Sequence, residues 1–219
     1  MYRGVTHEGA VVWLKVPEPT FAFEGRALEL LRPLAPEVVP TVLAHEPVRG
    51  WLVLADHGDE PTEVEWAPVL RRYAQLQRDA MPLADELVAV GAPDYRGALL
   101  GERIEELVPG NERAQDLCAC LAASRIEPTA EHSDLRVAHV RGSVILDWGD
   151  MCVAHPFLSI AFGDPWRNRD AYLAGWPDEP ETIDAARQLR ALWGALNWSR
   201  VLPYDPTRAA DVRELIARF

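Results

Sequence analysis

The hydrophobic pattern changes period near residue 60, and this constrains the fold more than any other feature of the chain. Before that point, short runs rich in branched and aromatic residues alternate with turn signals. Tyr2 to Thr6 and Ala10 to Val16 flank the turn His7-Glu8-Gly9, and Thr41 to His45 and Trp51 to Ala55 flank Pro47-Val48-Arg49-Gly50. One helical stretch lies between the two pairs, Phe21 to Leu34. It is entered after Pro17 and Pro19 with Thr20 as its cap, and Phe23, Ala27, Leu30, Leu31 and Leu34 share its apolar face. From Glu63 the spacing turns helical. Trp66, Val69, Leu70, Tyr73, Leu76 and Gln77 describe one amphipathic helix ending near Met81-Pro82. Further helical stretches follow at Leu83 to Val90, Ala98 to Leu107, Glu112 to Ser124, His155 to Phe162, Trp166 to Gly175, Glu181 to Leu202 and Pro206 to Phe219. The expected fold class is α+β, with a β-rich first part, 1–58, a mainly helical second part, 59–219, and a cleft shared between them.

One stretch of the helical part breaks the period: HSDLRVAHVRGSVILDWGD, His132 to Asp150. It sets His132, Asp134, Asp147 and Asp150 around a short strand, Ser143 to Leu146, which reads as buried because its apolar run closes on a polar turn. A carboxylate beside a buried strand is costly unless a cation or hydrogen-bond donor meets it. Asp134 and Asp147, at the two ends of this unit and close enough to face one cleft, therefore point to a metal site.

The basic residues are unevenly chosen. Of 22 lysines and arginines only one is a lysine, Lys15, and it ends the apolar strand Val11-Val12-Trp13-Leu14. A chain that uses arginine everywhere else and keeps one ammonium here needs a compact point charge, which a guanidinium fork does not supply. Glu24, in the first turn of the following helix, can pair with it or simply favour the helix dipole.

Composition excludes several classes. With 48% hydrophobic and 26% charged residues the chain is not disordered. Its apolar runs are far shorter than a membrane span, and Met1-Tyr2-Arg3-Gly4 begins no signal peptide, so a cytoplasmic protein with no membrane partner is expected. The net charge of -12 disfavours nucleic acid as a partner and is compatible with a cationic small molecule, or simply with solubility. Cys118, Cys120 and Cys152 cannot all pair and lack zinc-ligand spacing, which leaves reduced thiols. Trp166, Trp176, Trp193 and Trp198 are candidates for an acceptor pocket or for core.

HSDLRVAHV followed by ILDWGDMCVAHPF resembles the His-Gly-Asp-Leu-His-x-x-Asn and Asp-Trp-Gly-Asp motifs of the aminoglycoside phosphotransferase and choline kinase superfamily, which has a protein-kinase-like fold. VVWLKV, FAFEGRALELL, VPTVLAHEPVRGWLVLADHG and RRYAQLQRDA resemble that family's lysine strand, first helix, next two strands with hinge, and the helix after the hinge. The likeness thus runs over nearly the whole chain. It implies a phosphotransferase that uses Mg2+ with ATP or GTP and moves the γ-phosphate to a hydroxyl of a small molecule, a cationic one among the candidates. In that scheme Asp134 orients the acceptor hydroxyl and Asp147 holds the metal. Lys15, positioned by Glu24, meets the α/β-phosphates, and the backbone of Leu54, Ala55 and Asp56 meets the purine.

Two motif positions differ. His139 stands where the family has the asparagine that holds a second metal, which makes it a candidate ligand of the less favoured imidazole type. Arg136 stands where the family often has histidine, so it either clamps a phosphate or pairs with Asp134 and silences it. Met1 falls at what corresponds to the family's second strand, so a small lobe without the first strand and the phosphate-covering loop is expected. The other readings are a kinase-like binding protein without phosphotransfer and a kinase fold reused for another reaction.

Overall fold

Lys15 and the strand that carries it lie in the interior of a four-stranded antiparallel sheet. The structure, a computed structural model, describes residues 1–161 and 163–219. Strands β1 (Tyr2–Val5), β2 (Val11–Lys15), β3 (Val42–Glu46) and β4 (Trp51–Ala55) pair in the order β1-β2-β4-β3, with Lys15 opposite Leu52 and Leu14 opposite Val53. The two hairpins read from the sequence are both present.

Helix α1 (Glu24–Leu31) is shorter than the predicted Phe21 to Leu34. Pro19–Phe21 form a separate 3-10 turn that takes in Thr20, and Phe23, with no side-chain bond, stands at the cap position. At the other end Pro33 lacks the N–H that another turn needs and crowds the backbone before it. Ala27, Leu28 and Leu31 are fully buried with Leu52, Val38 and Val39, and each buried leucine stabilises the lobe by roughly 1.5 to 3 kcal/mol. Gly25 permits this approach, since a Cβ there would lie 2.5 Å from the Leu52 side chain.

The helical part contains α2 (Trp66–Ala80), α3 (Ala84–Ala89), α4 (Ala98–Leu107), α5 (Glu112–Ala122), α6 (Gly163–Arg167), α7 (Arg169–Leu173), α8 (Pro180–Ser199) and α9 (Ala209–Ala217). Val69, Leu70, Tyr73, Leu76 and Gln77 of α2 are buried, the face its period marked. Two expectations change in detail. Trp166 to Gly175 is divided into α6 and α7 rather than one helix, and His155 to Phe162 is a 3-10 turn, Pro156–Ile160, with Phe162 outside the described residues.

Of four further short strands, three escape the periodicity. β5 (Thr129–Glu131) pairs antiparallel with β8 (Cys152–Ala154), and β6 (Val140–Arg141) with β7 (Val144–Ile145). The predicted strand Ser143 to Leu146 is β7 with its flanks. The β5–β8 ladder sets Glu131 opposite Cys152, so the chain entering at His132 and leaving after Asp150 is closed at its base. The Ile145 N–H then donates to the Val38 carbonyl at 2.8 Å, and the Ser143 hydroxyl to the Glu37 carbonyl at 2.8 Å, which ties this unit to the loop after α1. Among the described residues no helix is long and apolar enough to cross a membrane.

Candidate active site

Three charged side chains from three separate elements meet at one point. The Lys15 Nζ at the end of β2 lies 2.6 Å from Glu24 Oε2 and 2.5 Å from Asp147 Oδ1. Glu24, 1% exposed, uses its other oxygen to accept the Trp148 backbone N–H at 3.0 Å. Burial opposes the charge on Lys15, but the Glu24 and Asp147 carboxylates overcome it and hold the ammonium above its usual range. Burial likewise works against Asp147, and the Lys15 charge and hydrogen bond outweigh it, so that carboxyl is drawn down to about 2. Burial pushes the Glu24 carboxyl up, with Lys15 pulling the other way. The Asp147 backbone is left-handed, φ 64°, a conformation that aspartate tolerates better than most residues and that begins the 3-10 turn Trp148–Asp150. Gly149 follows, where a Cβ would meet Glu24 Oε2 at 3.3 Å and Lys15 Nζ at 3.5 Å.

His132 braces the loop from beneath. Its Nε2 lies 2.9 Å from the Leu146 carbonyl, and its Nδ1 accepts the Asp134 N–H at 3.3 Å, so the ring carries its proton on Nε2. Burial holds its pKa down at about 4, which keeps the ring neutral. It thereby links the residue before Asp147 to the backbone of Asp134. Burial pushes the Asp134 carboxyl up, with the Arg136 guanidinium offsetting part of that effect. Asp150 is raised to about 6, by burial and then by the Asp147 charge.

Arg136 and His139 fill the space between the two aspartates. Arg136 Nε is 3.2 Å from Asp134 Oδ2 and 3.3 Å from His139 Nε2, and Arg136 Nη2 is 3.1 Å from the same nitrogen. His139 Nδ1 lies 2.8 Å from the Asp134 backbone carbonyl and so donates its proton there, which leaves Nε2 as an acceptor for the guanidinium. That Nε2 is 3.3 Å from Asp147 Oδ2.

A magnesium site of the expected kind is only partly compatible with these residues. Asp147 fits, since Mg2+ is commonly held by one or two carboxylates together with substrate phosphates, and the side chain is 38% exposed with Oδ2 not engaged by Lys15. His139 does not fit as the candidate second ligand, because both ring nitrogens are committed. Among the described residues no group of three or more His, Cys, Asp or Glu side chains is arranged to hold a metal without further ligands.

The remaining sequence candidates fall as follows. Leu54 pairs with Trp13 on one side and Val42 on the other, and the Ala55 N–H donates to Thr41 at 3.0 Å. The sheet thus uses part of the backbone proposed for purine contact, and the chain leaves the sheet at Asp56, whose Oδ1 accepts the Trp13 indole N–H at 2.7 Å. Trp176 and Trp193 are core. Trp166 and Trp198 are covered by the chain's own cations, Arg169 at 4.6 Å and Arg208 at 4.5 Å from the ring centres. Cys118 and Cys152 are buried free thiols.

Sequence reasoning missed the support under Asp134. Ser133 has a left-handed backbone, φ 67°, and donates its N–H (2.9 Å) and hydroxyl (2.5 Å) to the two oxygens of the fully buried Glu131. Burial pushes the Glu131 carboxyl up, against the Ser133 bonds. The neighbouring His132 N–H donates to the Tyr73 hydroxyl at 2.9 Å, and Tyr73 in turn meets Ser159 at 2.6 Å and Gln77 at 3.0 Å. The only advance signal for this network is the serine of HSD at the position of a family glycine.

No protein-family model matches the sequence, and no curated protein matches it. Solved structures do. The macrolide 2'-phosphotransferase MphH of Brachybacterium faecium is 18% identical and superposes with a TM-score of 0.68 over 97% of this chain and 85% of that one. The choline kinase LicA of Streptococcus pneumoniae is 14% identical, with a TM-score of 0.62 over 100% of this chain and 90% of that one. Aminoglycoside 2'-phosphotransferase-IIIa in its GDP complex is 15% identical, with a TM-score of 0.58 over 96% and 88%. At these identities the likeness is one of architecture: the chain has the fold shared by the aminoglycoside phosphotransferases and choline kinases.

Proposed function

We propose that the protein transfers the γ-phosphoryl group of ATP or GTP to a hydroxyl of a small molecule, in a cleft between residues 1–58 and 59–219. The observation that carries this reading is the junction of Lys15, Glu24 and Asp147, in which one ammonium lies within 2.6 Å of two carboxylates from opposite parts of the chain. A partly buried cation braced in this way is suited to meet the α/β-phosphates. Structural neighbours that phosphorylate macrolides and aminoglycosides, together with a choline kinase, support a small-molecule acceptor.

In this reading Asp134, which is 31% exposed, accepts the proton of the acceptor hydroxyl. As that O–H bond breaks, the acceptor oxygen forms a bond to the γ-phosphorus, and the bond between that phosphorus and the β–γ bridging oxygen breaks, releasing the nucleoside diphosphate. Lys15, positioned by Glu24, meets the diphosphate end, and His132 fixes the Asp134 backbone. Asp147 would hold magnesium, which when bound would supply neutralisation of the phosphate charge. Positioning and charge compensation carry the catalysis, because the transition state is loose.

The test is nucleotide turnover with a panel of hydroxylated and cationic small molecules. Turnover by the wild type that is lost in both Asp134→Ala and Asp147→Ala supports the reading. The 3.2 Å contact of Arg136 with Asp134 favours a second one, a nucleotide-binding protein whose base is silenced. Binding without turnover for any acceptor, and activation on Arg136→Ala, would select it.

A further inference from the structure

A phosphoryl group in transfer gathers negative charge, and kinase-type sites meet it with two divalent ions, one on the aspartate after the strand and one on the asparagine of the preceding loop. Here the second position is His139, and the geometry closes it to a metal. Its Nδ1 proton is given to the Asp134 carbonyl at 2.8 Å, and its Nε2 lone pair faces the Arg136 guanidinium at 3.1 and 3.3 Å. The imidazole therefore holds an organic cation where the asparagine would hold an inorganic one.

We infer that Arg136 takes the place of the second divalent ion, so that the nucleotide complex of this protein binds one divalent ion, at Asp147, with the guanidinium as a fixed second cation. The inference rests on the phosphotransfer reading. Three features of the site carry it. The guanidinium is seated by two partners, Asp134 Oδ2 at 3.2 Å and His139 Nε2, so its position is set by the loop rather than by a flexible arm. The same His139 nitrogen is 3.3 Å from Asp147 Oδ2, which puts the seat beside both carboxylates that the transferred group must approach. The Arg136 side chain is 59% exposed, so its outer edge remains open to a phosphate oxygen while its inner edge is held. A planar fork of donors is suited to that double engagement, and an ammonium is not. The chain's bias toward arginine explains the choice of cation, but not a histidine turned so that its lone pair receives it.

The experiment counts Mn2+ bound per chain by electron paramagnetic resonance in the presence of a saturating non-hydrolysable ATP analogue, with single-turnover phosphoryl transfer measured alongside. The wild type is expected to bind one Mn2+. The double variant Arg136→Ala/His139→Asn is expected to bind two, and Arg136→Ala alone to lose at least a hundredfold in transfer rate while still binding the analogue. Two Mn2+ in the wild type, one in the double variant, or an unchanged rate in Arg136→Ala overturns the inference and leaves the phosphotransfer reading in place; a raised rate in Arg136→Ala overturns the inference and favours the silenced base. Failure of the wild type to bind Mn2+ and analogue at all overturns both.

Discussion

Glu24 accepts the backbone N–H of Trp148, 124 residues further along the chain, at 3.0 Å, while its other oxygen holds Lys15 at 2.6 Å. One buried carboxylate thus joins the lysine strand to the turn that presents Asp147. Removing it leaves a partly buried ammonium with one partner and a buried N–H with none. Glu24→Ala is expected to cost about 3 kcal/mol in urea denaturation, and Glu24→Gln, which still accepts the Trp148 N–H, about half as much. Equal losses in the two variants would mean that the Trp148 bond contributes nothing.

Lys15→Arg tests the need for a compact charge. The ammonium fits between carboxylate oxygens at 2.5 and 2.6 Å, and a guanidinium is wider and directs its donors in a plane. Calorimetric titration should show at least a tenfold weaker affinity for magnesium-nucleotide, about 1.4 kcal/mol. Retention of wild-type affinity would mean that Lys15 acts only as a general cation.

Much of this architecture was readable in advance, and the exceptions have physical causes. The β2 and β4 runs and the α2 face are long enough for their periods to register, and Lys15 was marked by being the lone lysine. β5 and β8 have three residues each, too few for alternation to distinguish them from loop. Glu131 reads as a surface acid, because its burial follows from the β5–β8 ladder and from the turn of Ser133 back onto it. His139 could be placed as a ligand position but not oriented, since which nitrogen faces the cleft depends on the Asp134 carbonyl and on Arg136.

Ser133 permits a test of backbone strain. Ser133→Ala and Ser133→Gly both lose the hydroxyl bond to Glu131, but only glycine adopts φ 67° without a Cβ penalty. The glycine variant is expected to be the more stable of the two by about 1 kcal/mol in thermal or denaturant unfolding. Equal stabilities would mean that the turn stores no strain.

His155 gives the pH dependence a direction. It is 5% exposed, its Nδ1 accepts the Phe157 N–H, its Nε2 meets Ser124 at 3.0 Å, and burial lowers its pKa to about 4. In the unfolded chain it takes up a proton near pH 6.5. A depressed pKa contributes stability that is fully present above the unfolded value and is lost as pH falls toward the folded one. The contribution of His155 to stability should therefore decline by roughly 2 to 3 kcal/mol between pH 6.5 and 4, while Asp150, raised to about 6, works in the opposite sense as it takes up its proton. His155→Gln should remove that component from the profile, leaving the opposed contributions of His132 and Asp150. An unaltered slope would place the titration elsewhere.

The most direct test of a nucleotide phosphate site at Lys15 and Asp147 is thermal melting with and without millimolar magnesium and ATP or GTP. Saturation a hundredfold above Kd adds about 2.7 kcal/mol, so the wild type should melt several degrees higher with nucleotide and metal together, and Asp147→Asn should show no such rise. A wild-type melting curve that neither nucleotide shifts, or a shift that survives in Asp147→Asn, would contradict it.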